Sequence, residues 1–202
     1  MNKTKVLFSD IGGVLLTNGW DKESRKEACR VYNLDFDEME HRHDFIFNVY
    51  EIGRISLAQY LNTAVFYEPR NFSTKEFTDF MYSRSQELPE MLPYLVEWKK
   101  THPDVRVISI NNEPRELNQY RIRKFQLQRF FDAFISSCEV GMRKPNPGIF
   151  QLALGIAQIN PDECIYFDDR EMLVHAAAET GIPAYLHRNF EDTKKILQEV
   201  FG

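Results

Sequence analysis

Short apolar runs bounded by polar or glycine breakers recur along this chain. The first is Lys5-Val6-Leu7-Phe8-Ser9, broken soon after by Gly12-Gly13. Later runs are Val105–Ile110, Ala133–Ser136, Cys164–Phe167 and Pro183–Leu186. Each has strand length, and runs without polar alternation fit strands covered on both faces. Between them the pattern becomes helical. Glu113–Leu127 reads as one helix. Asn146-Pro147 opens another, with the asparagine as cap and the proline at the first helical position. Glu171–Thr180 is a third, stopped by Gly181. Strands alternating with helices predict an α/β fold with a doubly wound parallel sheet.

The stretch 18–91 breaks this rhythm. It holds no convincing strand but several helix starts. Ser56-x-x-Gln59 and Ser73-x-x-Glu76 are capping-box patterns. Asp35 or Asp37 could cap a helix running to Glu51, with Gly53 ending it. The expectation is a core of residues 1–17 and 92–202 with a small helical cap, 18–91, inserted after the first strand. Its hinges fall near Thr17–Gly19 and Glu90–Pro93.

Composition narrows the partners. The chain has 202 residues, 43 % hydrophobic and 27 % charged, and a net charge of 25 − 30 = −5. A mildly acidic chain without a basic block has no general attraction for nucleic acid or anionic membranes. No apolar run approaches the length of a membrane span, and the first is too short for the core of a signal peptide. Cys29, Cys138 and Cys164 are odd in number, with no CxxC pair, as expected of reduced thiols in a cytoplasmic protein. Oligomeric state is not legible.

Ligands of open α/β sheets bind outside the carboxyl ends of the strands. After the first strand comes Asp10-Ile11-Gly12-Gly13, after the second Asn111-Asn112, after the third Arg143-Lys144-Pro145, and after the fourth Asp168-Asp169. Three carboxylates suit a hard, oxygen-liking cation such as Mg2+. A lysine and side-chain amides beside it suit a phosphoryl group.

The set Phe8-Ser9-Asp10-Ile11-Gly12-Gly13-Val14-Leu15, Ile110-Asn111-Asn112, Gly141-Met142-Arg143-Lys144-Pro145 and Phe167-Asp168-Asp169-Arg170 resembles the four motifs of the haloacid-dehalogenase superfamily. The resemblance covers the whole chain, because the helical insert sits where that superfamily carries its C1-type cap on a Rossmann-like core. Glu51-Ile52-Gly53-Arg54-Ile55-Ser56 and Val140–Pro145 are similar to sugar-phosphate phosphatases of the alpha-D-glucose-1-phosphate phosphatase-like group.

The resemblance implies Mg2+-dependent hydrolysis of a small phosphomonoester through a phospho-aspartate. Asp10 would be the nucleophile. Asp10, the Gly12 carbonyl and Asp169 would hold the metal, with Asp168 holding a metal-bound water or orienting Lys144. Lys144 would neutralise the phosphoryl group in transfer. Gly13, Asn111 and Asn112 would bind phosphoryl oxygens. Other readings are open residue by residue. Asp10 could make only an Asx turn, Asp168 and Asp169 could cap the next helix, and Asn111 and Asn112 could cap the helix near Glu113-Pro114.

Two positions depart from the superfamily pattern. A second aspartate usually stands two residues after the nucleophile as general acid and base, and here that place is Gly12. The usual Ser or Thr after the second strand is Asn111. These departures motivate a rival reading as a degenerate phosphate-binding or scaffold protein. A dehalogenase would not need the Asp168-Asp169 pair, and a phosphomutase would rely on the missing aspartate. A receiver-type domain would lack the helical insert. His41 and His43 lie two apart on a predicted helix, point to different faces and cannot chelate one metal. Trp20, Phe45, Phe47, Tyr50 and Phe66 are expected in the cap core or around substrate.

Overall fold

A computed structural model describes residues 5–202; the expected start of the core at Met1–Thr4 lies outside them. Five parallel strands form one sheet in the order β3-β2-β1-β4-β5. They are β1 (Val6–Ser9), β2 (Arg106–Asn111), β3 (Ala133–Ser136), β4 (Cys164–Asp168) and β5 (Ala184–Leu186). The central strand β1 pairs with β2 on one side and β4 on the other, with Ser9 opposite both Ser109 and Phe167.

Strand alternation divides the core into two layers. Leu7, Val107 and Ile165 face one side, against α5 (Met91–Thr101) and α10 (Phe190–Phe201) through Leu95, Trp98, Leu197 and Phe201. Val6, Phe8, Ile108 and Tyr166 face the other, against α8 (Pro147–Ala157) and α9 (Glu171–Ala178). This is the expected doubly wound, Rossmann-like α/β core. Neither α5 nor α10 stood out from the sequence pattern. The predicted helix Glu113–Leu127 is shorter, α6 (Arg115–Lys124), followed by a 3-10 turn at Leu127–Arg129.

Between β1 and β2 lie α1 (Lys22–Tyr32), α2 (Phe36–Glu51), α3 (Leu57–Ala64) and α4 (Thr74–Ser83). They close over their own cluster, with Trp20, Tyr50, Tyr60, Phe77 and Met81 all buried. Both predicted capping boxes form, at Ser56–Gln59 and Ser73–Glu76. Of the two candidate caps for α2, Asp35 does the work, accepting from the Glu38 N–H. Phe45 is a correction: it is 79 % exposed, on the outer face of α2 rather than in the cap core. His41 and His43 part as expected, His41 to solvent and His43 inward. Burial pushes the His43 pKa down to about 3, so the ring is neutral, and its Nδ1 lies 2.8 Å from the Tyr60 hydroxyl.

The helical insert touches the core at a few tight points. Gly53 (φ +72°) ends the α2 turn so close to the core that a Cβ would stand 2.2 Å from the Cys138 carbonyl oxygen. Only glycine fits both that backbone and that gap. Cys138 lies in the short helix α7 (Ser137–Val140), where the Ser137 hydroxyl donates to the Glu51 carbonyl at 2.7 Å. Arg143 pairs with Glu51 at 2.7 Å and with Asn48 of the same helix.

Candidate active site

The strand order reverses at β1. The chain runs outward from β1 to β2 and β3, then returns to the far side of β1 for β4 and β5. A crevice opens at the carboxyl edge of such a switch point. Asp10 follows β1, and Asp168 and Asp169 sit at the end of β4. The Asp10 N–H continues the pairing, donating to the Phe167 carbonyl at 2.8 Å. Ligand oxygens of Asp10, Asp168 and Asp169 all lie within 4.8 Å of one another.

Three carboxylates at that spacing repel each other unless a cation intervenes. Lys144 is one such cation. It is 1 % exposed, and its ammonium reaches Asp168 Oδ2 at 2.7 Å, Asp10 Oδ1 at 3.0 Å and the Tyr166 hydroxyl at 2.8 Å. Burial opposes its charge, but Asp10 and Asp168 outweigh that and hold its pKa above the usual lysine value. Burial raises Asp10 to about 6 despite Lys144, with Asp168 adding to the rise. Asp169 is likewise raised, chiefly by burial.

The acidic pair divides its tasks. Asp168 Oδ2 accepts from Lys144 and from Tyr166, and its Oδ1 accepts from the Arg170 N–H at 3.0 Å. Asp169 has one oxygen, Oδ2, against Asn18 Nδ2 at 3.2 Å. Its other oxygen, Oδ1, is buried with no hydrogen-bond partner. An orphaned buried carboxylate oxygen is costly unless something positive meets it. An unpartnered oxygen on one of three carboxylates at ligand spacing fits a divalent cation of the oxygen-seeking class. Neither aspartate supplies a side-chain cap to α9, so helix capping does not account for the pair.

The glycines and asparagines around the crevice also make contacts within the protein. The Gly13 N–H donates to the Leu16 carbonyl at 2.7 Å. Gly12 borders the crevice beside Asp10. Asn112 was expected to donate to phosphoryl oxygens, yet its side chain grips the Lys144 backbone. Its Nδ2 donates to the Lys144 carbonyl and its Oδ1 accepts the Lys144 N–H, both at 2.9 Å. Asn111 is 2 % exposed in a network with Asn118, Ser136 and Ser109, although it still borders the crevice. No asparagine caps α6, whose N-cap residue is Pro114 and makes no side-chain cap.

The crevice encloses a cavity of about 270 Å³ between the sheet edge and the helical insert. Its walls include Asp10, Lys144, Arg143 and Arg170 from one side and Trp20, Phe47 and Glu51 from the other. Sequence reasoning missed Tyr166 and Asn18. Tyr166 alternates with Asp168 along β4, which puts both on one face, so the strand pattern held that signal. Asn18 carried none.

The rat bifunctional epoxide hydrolase 2 is 30 % identical over 139 residues, which are 66 % of this chain and 24 % of that protein. This chain thus spans about a quarter of the epoxide hydrolases it matches. The Arabidopsis thaliana flavin mononucleotide hydrolase 1 is 26 % identical over 165 residues, 80 % of this chain and 64 % of the relative. Among solved structures, the HAD family enzyme bt-2542 of Bacteroides thetaiotaomicron superposes with a TM-score of 0.81 at 25 % identity, covering 96 % of this chain and 98 % of that one. The same enzyme has been solved with magnesium and inorganic phosphate. The L-2-haloacid dehalogenase of Xanthobacter autotrophicus shares the fold at 16 % identity, with a TM-score of 0.63. The family pattern of haloacid dehalogenase-like hydrolases matches residues 4–181, and with that coverage this chain belongs to the family.

Proposed function

We propose that this protein is a Mg2+-dependent phosphatase of small phosphomonoesters, sugar phosphates being the leading class, acting through a phospho-aspartate on Asp10. One observation carries the reading. Asp10 is held by Lys144 at the strand switch point, beside an acidic pair in which Asp169 Oδ1 is buried and unpartnered. A dehalogenase attacking carbon would not need that second cluster of carboxylates. The flavin mononucleotide hydrolase and the magnesium-phosphate complex of the bacterial enzyme support the same direction.

Asp10, Asp169, Asp168 and the Gly12 carbonyl would hold the metal. Mg2+ would supply positive charge at the phosphoryl oxygens and beside the attacking carboxylate. An Asp10 oxygen forms a bond to phosphorus as the ester oxygen leaves with its electron pair. The departed oxygen takes a proton from solvent; water then attacks phosphorus, the Asp10–phosphorus bond breaks with its pair returning to the carboxylate, and the water proton passes to phosphate or solvent. Lys144 keeps Asp10 ionised and offsets the charge of the transferred group. Asn112 fixes the Lys144 backbone. The helical segment 18–91 acts as a cap over residues 1–17 and 92–202, with Trp20 and Phe47 excluding water. No carboxyl at position 12 can protonate the leaving oxygen, so good leaving groups depart fastest. The three free, buried cysteines support a cytoplasmic setting. Among the described residues no helix is long and apolar enough to cross a membrane.

The deciding assay screens purified protein against phosphorylated metabolites with and without Mg2+, beside Asp10→Asn. Phosphate release that needs both Mg2+ and Asp10 is expected. Wild type equal to Asp10→Asn on every compound sinks the hydrolase reading. Binding of a sugar phosphate without turnover would favour the scaffold alternative, which Gly12 motivates.

A further inference from the structure

Gly12 is not a glycine by backbone necessity, since it lies outside the positive-φ set that includes Gly13. What a side chain there would meet is Asn18. A Cβ on Gly12 would stand 2.8 Å from Asn18 Oδ1, closer than such contacts allow, and apart from its two chain neighbours the next atoms it would meet, also of Asn18, lie at 3.8 Å. The missing side chain at position 12 therefore makes room for the amide of residue 18.

Asn18 is presented from a secured backbone. The neighbouring Thr17 N–H donates to the Gln86 carbonyl at 2.9 Å, and the Thr17 hydroxyl donates to the Arg84 carbonyl at 2.7 Å. The Thr17 carbonyl accepts from Arg121 Nη2 at 2.6 Å. From that point the Asn18 side chain crosses Gly12 and donates through Nδ2 to Asp169 Oδ2 at 3.2 Å. The opposite oxygen of that carboxylate is the buried, unpartnered Oδ1. A carboxylate tethered through one oxygen presents the other in a fixed direction. Outer partners of this kind orient metal-binding carboxylates.

We infer that Asn18 is a positioning residue for Asp169, seated in the room that Gly12 leaves, and that its amide aims Asp169 Oδ1 at the divalent cation. This rests on the Mg2+ reading above. An amide at neutral pH neither gives nor takes a proton readily. Asn18 thus fills the space of a side chain at position 12 without restoring acid–base chemistry there.

The test is isothermal titration of the full chain with Mg2+ alone, with metal-free melting temperatures to establish that each variant is folded. Asn18→Ala is expected to weaken Mg2+ binding by about ten- to a hundredfold, the usual effect of losing such a partner, while its metal-free melting temperature stays at the wild-type value. Gly12→Ala is expected to weaken binding similarly by displacing the amide. In an Asn18→Gly background, Gly12→Ala should cost nothing more, because the amide it would displace is gone. Wild-type affinity in folded Asn18→Ala overturns the inference and leaves the Mg2+ reading intact. So does a Gly12→Ala penalty equal in both backgrounds. Wild-type protein that takes up no Mg2+ overturns both.

Discussion

Gly13 and Asp169 compete for one volume: a Cβ on the glycine would lie 2.0 Å from the carboxylate oxygen Oδ2. The glycine's φ of +69° compounds this, since an L side chain is strained there even in open space. Gly13→Ala is therefore expected to push Asp169 out of the cluster. The measurement is the rise in melting temperature on adding saturating Mg2+. It should be clear in wild type and absent in the variant.

Lys144→Met tests the buried ammonium. Removing one partner of a buried ionic cluster typically costs roughly 3–5 kcal/mol. The loss should depend on pH, because Asp10 can escape by binding a proton. Without Lys144 its folded pKa moves further above the unfolded 3.8. A carboxyl raised in the native state makes stability fall as pH rises through the gap between the two values. Urea unfolding should show a larger deficit at pH 8 than at pH 5. An equal deficit at both would remove Asp10 from the account.

Proton competition should also govern metal binding. Asp10 sits at about 6 because burial outweighs Lys144, with Asp168 adding to the rise. The cation takes the ionised form, so apparent Mg2+ affinity should fall by about tenfold per pH unit once pH drops below that value. Calorimetry in buffers of different ionisation enthalpy would register the released proton. In metal-free protein the same shift makes stability fall as pH rises from 3.8 through about 6, because only the native state keeps the proton there.

Asn112→Ala removes two hydrogen bonds from the Lys144 backbone while touching neither Asp10 nor Asp169. Each such bond contributes about 1 kcal/mol net. The expected signature is a fall in kcat of about tenfold or more with KM little changed, from a misplaced lysine. A rise in KM with kcat intact would instead put Asn112 in substrate binding, as the sequence first indicated.

The absence of an acid at position 12 predicts a steep dependence on the leaving group. General acid catalysis is typically worth about a hundred- to ten-thousandfold. Aryl phosphates, which need no proton to depart, should exceed alkyl phosphates in kcat/KM by a margin of that order. A flat series would mean that some other group supplies the proton.

What the sequence made legible follows from range. Strands buried on both faces leave an uninterrupted apolar signature, and both capping boxes work within four residues. Asp35 and Asp37 are alike by local rules, and in the structure it is the Asp35 side chain that makes the cap. The amphipathic α10 leaves a weak signature because its apolar positions are spread among charges. At the site, the charged residues could be collected because each follows a strand. Their division of labour could not. Asn112 reads as a phosphate donor until Lys144 is placed beside it, and Asn18 has no motif at all. Its role exists only because Gly12 and Asp169 lie on either side of it.

The strand order has a consequence for how the chain is made. Of the five strands β1 is made first and its partner β4 only fourth, so Ser9 must find Phe167 far along the sequence. Until then β1 is an apolar strand with one side open, the kind of edge that invites mispairing with other chains. Contacts so distant in sequence slow folding. The three clustered carboxylates therefore come together only once β4 has joined the sheet, so no nascent chain ending before β4 can hold the charged cluster.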